Sequence, residues 1–156
     1  MSSSSMVVSP ERCHQFYIKG QWVEPHGEKK TLDVINPATE APCANIAVAG
    51  KEDVDAAVSA AKAALPAWRN TPPAERIALV EKLLEIYDAR AGDVAKAVST
   101  EMGAPLSVAA TRQVPAGKSN IAGVVAAAKV FEFEQSVKNG RDEEKYRIVH
   151  EGIGVC

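Results

Sequence analysis

The hydrophobic pattern of the chain changes period near Gly50, and this change constrains the fold more than any other feature. Before it, short β-branched and aromatic runs are separated by turn residues, which is typical of hairpins. After it, apolar residues recur every three or four positions, as on amphipathic helices. Alanine is abundant in this second part and aromatic residues make up only 5% of the chain. Close-packed helices are therefore favoured over a sandwich or barrel.

Two hairpins are predicted ahead of this change. Residues 16–23 place apolar runs on either side of a glycine turn. Residues 31–35 form an extended segment that ends at Asn36 and Pro37, because proline disfavours helical backbone in the residue before it. A further short strand over residues 44–48 is expected to complete the second hairpin.

The first helix is predicted to begin near Glu52 and Asp53, whose charges suit the positive end of a helix dipole. These two residues and Asp55 are otherwise interpreted as solvated charge. The helix is predicted to end at Pro66 and Trp68.

The second helix is predicted to be capped by Thr71, with Pro72 at its first helical position. A shorter helix follows and is predicted to stop at Gly103, since glycine is a common C-terminal cap.

Pro105 is predicted to open a long helical stretch that reaches about Phe133. Pro115 and Gly117 lie inside this stretch and are expected to kink or interrupt it. The last residues, 146–156, are β-branched and are predicted to form a strand that requires a neighbour. We therefore expect the chain to be the front part of something larger.

Bulk properties exclude several classes of function. The net charge of -2 gives no electrostatic footprint for nucleic acid or an anionic membrane, and no stretch approaches the roughly 20 apolar residues of a membrane span. The polar start of the chain is not a secretory signal, and residues 1–14 are expected to form a mobile tail. Three cysteines without metal-like spacing indicate reduced thiols and a cytoplasmic location.

Seven segments of the chain occur in the order found in one protein family. They are Tyr17-Ile-Lys-Gly-Gln-Trp-Val23, Ile35-Asn-Pro-Ala-Thr-Glu40, Ala49-Gly-Lys-Glu-Asp-Val-Asp-Ala-Ala-Val58, Ala67-Trp68, Pro73-Ala-Glu-Arg76, Glu101-Met-Gly-Ala-Pro105 and His150-Glu-Gly-Ile-Gly-Val-Cys156. Together they resemble the N-terminal part of an NAD(P)-dependent aldehyde dehydrogenase. The resemblance implies an α/β, Rossmann-type family fold, of which this chain would carry N-terminal β-hairpins, then several helices, then a β-arm strand.

The resemblance also implies a division of the chain. Residues 15–137 would be the N-terminal part of the cofactor-binding domain. Residues 138–156 would be the start of an oligomerisation β-arm and its return strand, truncated here. The complete protein is then expected to form a homo-oligomer through this arm, and the isolated chain to self-associate or aggregate.

The family's reaction oxidises an aldehyde to a carboxylic acid. A cysteine thiolate attacks the carbonyl to give a thiohemiacetal, hydride passes to NAD or NADP, and a glutamate-activated water releases the acid. The motifs that supply the nucleophile, the base, the oxyanion asparagine and the cofactor contacts are not in this sequence. Gly50, Gly103 and Gly117 do not have the spacing of a phosphate-binding loop. We therefore assign no catalytic or cofactor-binding residue and predict that the isolated chain is inactive.

The cysteines are assigned structural roles. Cys156 follows the Ile-Gly-Val pattern, where the family normally has an apolar residue, and no neighbouring cation would lower its pKa. Cys13 lies in the expected tail and Cys43 at a strand entrance, and neither has an assigned base. The histidines, His14, His26 and His150, are scattered and indicate no metal cluster.

One site is implied by the resemblance. Many family members hold a sodium or potassium ion with backbone carbonyls ahead of the Asn-Pro turn and an acidic side chain ahead of the Gly-x-Pro turn. These positions are Val34, Ile35 and Glu101 here, and oxygen ligands suit such hard cations. The alternative is that Glu101 stabilises a turn or pairs with a cationic side chain.

Two alternatives to an incomplete enzyme remain open. The chain could be a non-catalytic module that associates with full-length family members through its β-arm. It could also be an unrelated small helical domain whose motif matches are accidental.

Overall fold

The computed structural model describes residues 10–138 and 144–155, and only the backbone of residues 144 and 145. Cys156 and residues 139–143, on which parts of the expected arm fall, lie outside this range. A short 3-10 helix, Pro10–His14, packs against the second hairpin. The last five residues of the segment expected to be a mobile tail therefore form a helical turn.

Both predicted hairpins are confirmed. They contain four strands, β1 (Phe16–Ile18), β2 (Gln21–Val23), β3 (Thr31–Asn36) and β4 (Ala41–Ala47). The turn of the first places Lys19 and Gly20 at positive φ, as the tight two-residue hairpin turns require. The second hairpin differs from the prediction in its return strand, which begins at Ala41 instead of Ala44.

Five helical segments follow: α1 (Lys51–Asn70), α2 (Pro73–Ala89), α3 (Ala91–Met102), α4 (Leu106–Val108) and α5 (Val114–Val130). The expected end of α1 at Pro66 is wrong, because the helix tolerates this proline in its interior and continues to Asn70. The Thr71 hydroxyl donates to the Ala67 carbonyl oxygen at 3.0 Å, so it closes α1 and does not cap α2. The predicted stop of α3 at Gly103 is confirmed, with φ of 71° there.

The long helical stretch after Pro105 is interrupted before Pro115. Residues Ala109–Gln113 form one π-helical turn, in which the Val114 N–H donates to the Ala109 carbonyl. Because Pro115 has no N–H and its ring crowds the preceding turn, a widened turn here relieves both problems. The stretch ends at Val130, three residues earlier than predicted.

Gly117 does not interrupt α5, which continues from Val114 to Val130. A Cβ atom on it would lie 2.5 Å from the Tyr87 hydroxyl oxygen, so its role is to let α2 approach α5. The Tyr87 hydroxyl then donates to the Val114 carbonyl oxygen at 3.0 Å.

A third hairpin projects after α5. It pairs β5 (Glu134–Lys138) with β6 (Glu144–Val149), and the first of these strands was not predicted. The extended run expected over residues 146–156 is a strand only to Val149, and residues 150–155 have no regular structure. The α/β content, in the order hairpins, helices and strand pair, is confirmed.

The core is small and lies between α2, α3 and the start of α5. Among the described residues, the buried apolar side chains are Ala95, Ala109, Val114 and Val125. Tyr87 and other half-buried side chains pack around them. None of the described helices is both long enough and apolar enough to cross a membrane.

Candidate functional site

The carbonyl groups of the candidate cation site lie at a β-bulge. Val34 pairs with Ala44 and Ile35 with Pro42, so Cys43 is the extra residue on β4. The Cys43 thiol donates to the Val34 carbonyl oxygen at 3.2 Å, and a thiol is a weak donor. Pro42 has no N–H to offer the Ile35 carbonyl. The bulge therefore places the Cys43 thiol against the Val34 carbonyl, and Pro42 offers no N–H beside Ile35.

The third candidate ligand is carried by the end of α3. Glu101 is exposed in the last turn of this helix, and α3 packs against β3. The contact is close, because a Cβ on Gly103 would lie 2.6 Å from Pro37 Cγ. The fold thus brings the end of α3 beside the turn that follows Val34 and Ile35.

Glu101 forms no ion pair within the described part of the chain. The same residues contain no group of three or more His, Cys, Asp or Glu side chains that could hold a metal ion. A cation site at the bulge would thus depend on backbone carbonyls and a single carboxylate, which are oxygen ligands of the kind that hard cations take.

Asp53 joins the loop after the first hairpin to the residue ahead of α1. Its Oδ1 accepts the His26 backbone N–H at 2.8 Å and contacts His26 Nδ1 at 2.9 Å, while its Oδ2 accepts the Gly50 N–H at 2.9 Å. The residue is only 2% exposed, so its interpretation as solvated charge is wrong. The His26 backbone, the Gly50 backbone and the His26 ring together lower the pKa of Asp53.

Sequence reasoning missed this anchor, although a signal for it exists. An acidic residue three positions after the helix cap commonly reaches back to the cap N–H, and Gly50 and Asp53 have this spacing. The contact with His26, 27 residues away in sequence, has no local signature.

The two described cysteines are free and half-buried. Cys43 is engaged with a backbone carbonyl, which offers no base to form a thiolate. His14 ends the 3-10 helix, and the His150 ring contacts Phe131 edge-on at 5.1 Å. The described residues thus show no arrangement of nucleophile and base.

No phosphate cradle is present at the one described passage from a strand to a helix, where a single glycine, Gly50, precedes α1. Binding of a dinucleotide pyrophosphate usually requires a glycine-rich turn at such a place. The start of α1 therefore carries no glycine-rich phosphate-binding turn.

The fold and the sequence together define the class of protein. A model of the aldehyde dehydrogenase family matches residues 22–156, and the chain belongs to that family. This match excludes the unrelated small helical domain.

Particular relatives extend the match over most of the chain. It is 37% identical over 143 residues to a 3-succinoylsemialdehyde-pyridine dehydrogenase from a Pseudomonas species, covering 91% of this chain and 28% of the relative. The crystal structure of an aldehyde dehydrogenase from Bartonella henselae is 42% identical with a TM-score of 0.77, over 81% of this chain and 26% of that one. An aldehyde dehydrogenase from Pseudomonas syringae, solved with NAD+ and octanal, is 34% identical with a TM-score of 0.80, over 85% and 27%.

The chain therefore spans little more than a quarter of the length of these relatives. It corresponds to the N-terminal portion of the family fold, and the aldehyde-dehydrogenase-like fold class predicted from the sequence is confirmed.

Proposed function

We propose that this chain forms the N-terminal portion of an NAD(P)-dependent aldehyde dehydrogenase and is inactive by itself. The complete enzyme would oxidise an aldehyde to a carboxylic acid through a cysteine thiohemiacetal, with NAD or NADP as acceptor of hydride. A cytoplasmic location is expected for it. Residues 15–137 would contribute the front of the cofactor-binding domain, and the β5–β6 hairpin would begin the subunit-joining arm.

This proposal rests on the reactive groups that the described residues contain. In other respects this portion of the fold matches the family well. The described residues resemble solved aldehyde dehydrogenases closely. Yet their cysteines have no base, and their one strand-to-helix passage before α1 has no glycine-rich cradle. The chain spans little more than a quarter of the length of those enzymes, so we infer that it supplies scaffold to a larger active protein.

The test is an assay of the purified chain with propanal and either NAD or NADP, followed by absorbance of the reduced cofactor. We expect no signal above a blank without protein. Cys43→Ser is the control for a contaminating host enzyme, since activity unchanged by this substitution would leave the Cys43 thiol without a role. Turnover that co-purifies with the chain and is lost with its own cysteines would overturn the proposal.

We further propose that the Val34 and Ile35 carbonyls and the Glu101 carboxylate hold a monovalent cation. Support comes from the bulge, where Pro42 has no N–H to offer beside Ile35, and from the packing of α3 against β3. A carboxylate beside such carbonyls would balance the charge of sodium or potassium.

Thermal unfolding in sodium, potassium or choline chloride at equal ionic strength tests this site. A cation that binds the folded state at a concentration equal to its Kd stabilises by about 0.4 kcal/mol, and more at higher concentration. We expect a higher Tm in sodium or potassium than in choline, retained in Glu101→Asp and lost in Glu101→Gln. Equal Tm values in all three salts would contradict the proposal.

The second candidate function, a non-catalytic module for full-length family members, is favoured by the exposed third hairpin. Every described side chain of β5 is exposed, as are those of residues 146–149 of β6. Strand addition is a common basis of association for such hairpins. If the chain is such a module, sedimentation of a mixture with a full-length relative will show one common boundary. Separate boundaries would contradict this function.

A further inference from the structure

Among the residues that the structure describes, the third hairpin is attached to the body of the molecule at its base. The base is closed by the His150 N–H, which donates to the Phe133 carbonyl oxygen at 2.9 Å. The Phe131 ring contacts Phe133 edge-on at 4.9 Å and His150 at 5.1 Å. Beyond this base, the described side chains of both strands are exposed, so burial against the body does not fix the direction of the hairpin.

Arg76 connects this base to the turn between α1 and α2. Its Nη1 donates to the Thr71 carbonyl at 2.6 Å and to the Arg69 carbonyl at 3.3 Å. These carbonyls belong to the end of α1, where helix carbonyls lack helical partners. The same guanidinium lies 5.8 Å from the centre of the Phe133 ring, within the range of a cation–π contact.

Arg69 provides a second connection, an ion pair with Glu151 just after the hairpin. Both side chains are about half exposed, so this pair is open to screening by salt. Between the two arginine contacts lies an open cleft of about 480 Å³. Two polar contacts around a cleft permit rotation far more readily than a packed apolar interface does.

We propose that Arg76 and Arg69 form a clamp that sets the direction of the β5–β6 hairpin, and that the hairpin swings about its base as a unit when the clamp opens. Arg76 is the main positioning residue, because it joins two carbonyls of the α1 end to the Phe133 ring. The pair of Arg69 with Glu151 is the weaker and salt-dependent half. Any effect of this movement on the joining of subunits rests on the proposed function, whereas the clamp itself does not.

Spin labels on unnatural amino acids at Lys62 of α1 and Gln135 of β5 test the clamp with the native cysteines retained. We expect one narrow distance distribution in the full chain. Arg76→Met should make it about twice as broad, since the hairpin then samples several orientations. Arg76→Lys should rescue it only in part, because an ammonium cannot bridge both carbonyls and face the ring at once.

The weaker half of the clamp has its own readout. Glu151→Gln should broaden the distribution slightly at low salt and remove its further broadening at high salt. Lys129→Met is the matched control, because it removes an exposed ion pair to Glu81 that joins α2 and α5 away from the hairpin, and should leave the distribution unchanged.

Phe133→Leu keeps an apolar side chain but removes the ring. Its effect should not add to that of Arg76→Met, because both substitutions break the same contact. A distribution as narrow in Arg76→Met as in the native chain, with helical content retained, would overturn the proposal. If that variant fails to fold, an unchanged distribution in Phe133→Leu would overturn it equally. Either outcome leaves the catalytic assignment untouched, since no activity is measured.

Discussion

A single buried carboxylate, that of Asp53, fastens the loop after the first hairpin to the start of α1. Its pKa is lowered from the ordinary value of 3.8 by hydrogen bonds from the His26 and Gly50 backbone and from the His26 ring. The ionised form therefore stabilises the fold above pH 3.8, and this contribution is lost as the pH falls through the lower pKa of the folded state.

Asp53→Asn is expected to lower the Tm at pH 7, because a neutral amide replaces an acceptor of three hydrogen bonds. The difference from the native chain should shrink as the pH falls through the lowered pKa of the folded state, where the native carboxyl also becomes neutral. Calorimetry between pH 7 and pH 2 measures this. Asp55→Asn, which removes only an exposed pair with Lys51, should shift the Tm little at any pH, and a pH-independent effect of Asp53→Asn would argue against the mechanism.

Gly117 offers a second prediction at the scale of one atom. Alanine there would favour the helix by about 1 kcal/mol, but its Cβ would lie 2.5 Å from the Tyr87 hydroxyl. Overpacking of this kind costs about 1–3 kcal/mol. Gly117→Ala is therefore expected to destabilise the chain by up to about 2 kcal/mol in urea unfolding.

Gly123→Ala supplies the matched control, because it lies in the same helix and has nothing within 4 Å of the added Cβ. It should stabilise by up to about 1 kcal/mol. In a Tyr87→Phe background, where the obstructing oxygen is gone, Gly117→Ala should become neutral or stabilising. Equal changes in stability at both glycines would show that helix propensity alone determines the effect of the substitution.

A comparison of Gly103 with Gly117 and Asp53 shows why the sequence predicted some roles and missed others. The end of α3 at Gly103 follows from local backbone chemistry, which a sequence displays. A glycine inside a helical pattern can indicate either a kink or close packing, and the sequence does not distinguish the two at Gly117. Only the position of Tyr87 on another helix shows that the reason is close packing. Asp53 is likewise buried by a loop distant in sequence. For the candidate cation site, the family pattern predicts which elements lie side by side. The bulge at Val34 could not be predicted in this way, because it depends on how β3 pairs with β4.

Among elements, the order of hairpins and helices was predicted correctly from the change of period, and the errors lie at boundaries. Thr71 has the character of an N-cap, yet the helix before it extends far enough to use its hydroxyl. The end of α1 at Asn70 shows that a proline near the last turn is tolerated when only one backbone bond is lost. Strand β5 was missed because its five residues, Glu134–Lys138, contain a single apolar side chain.

The contact between α3 and the second hairpin leads to a prediction at this scale. Gly103 has φ of +71°, and a Cβ there would lie 2.6 Å from Pro37 Cγ. Gly103→Ala should destabilise the chain by about 2 kcal/mol, since left-handed backbone alone costs alanine about 1–2 kcal/mol and the overlap adds to this. Urea unfolding measures the loss.

Gly92→Ala in the first turn of α3 is the control, because its added Cβ would meet nothing within 4 Å. It is expected to be neutral or slightly stabilising. If Gly103→Ala were equally harmless, the close packing of α3 against the β3–β4 turn would not exist in solution, and the candidate cation site would lose its geometry.

The whole molecule buries little for its apolar content. Hydrophobic residues make up 46% of the chain, yet four apolar side chains are buried among the described residues. Helix α2 is apolar on two sides. Tyr87 on one side contacts the core, whereas Leu79, Leu83 and Ile86 on the other are each about half exposed. Exposed apolar surface of this extent is typical of an interaction face.

The isolated chain is therefore expected to self-associate, through this face of α2 and through the exposed third hairpin. In sedimentation velocity its weight-average sedimentation coefficient should rise with concentration. Leu83→Glu and Ile148→Lys should each reduce the rise, because a charge at the centre of an apolar contact must lose its hydration there. Lys82→Glu, next to Leu83 but on the polar side, should preserve it. A single monomer boundary at high concentration would count heavily against association, and an effect of Lys82→Glu equal to that of Leu83→Glu would point to net charge in place of apolar contact.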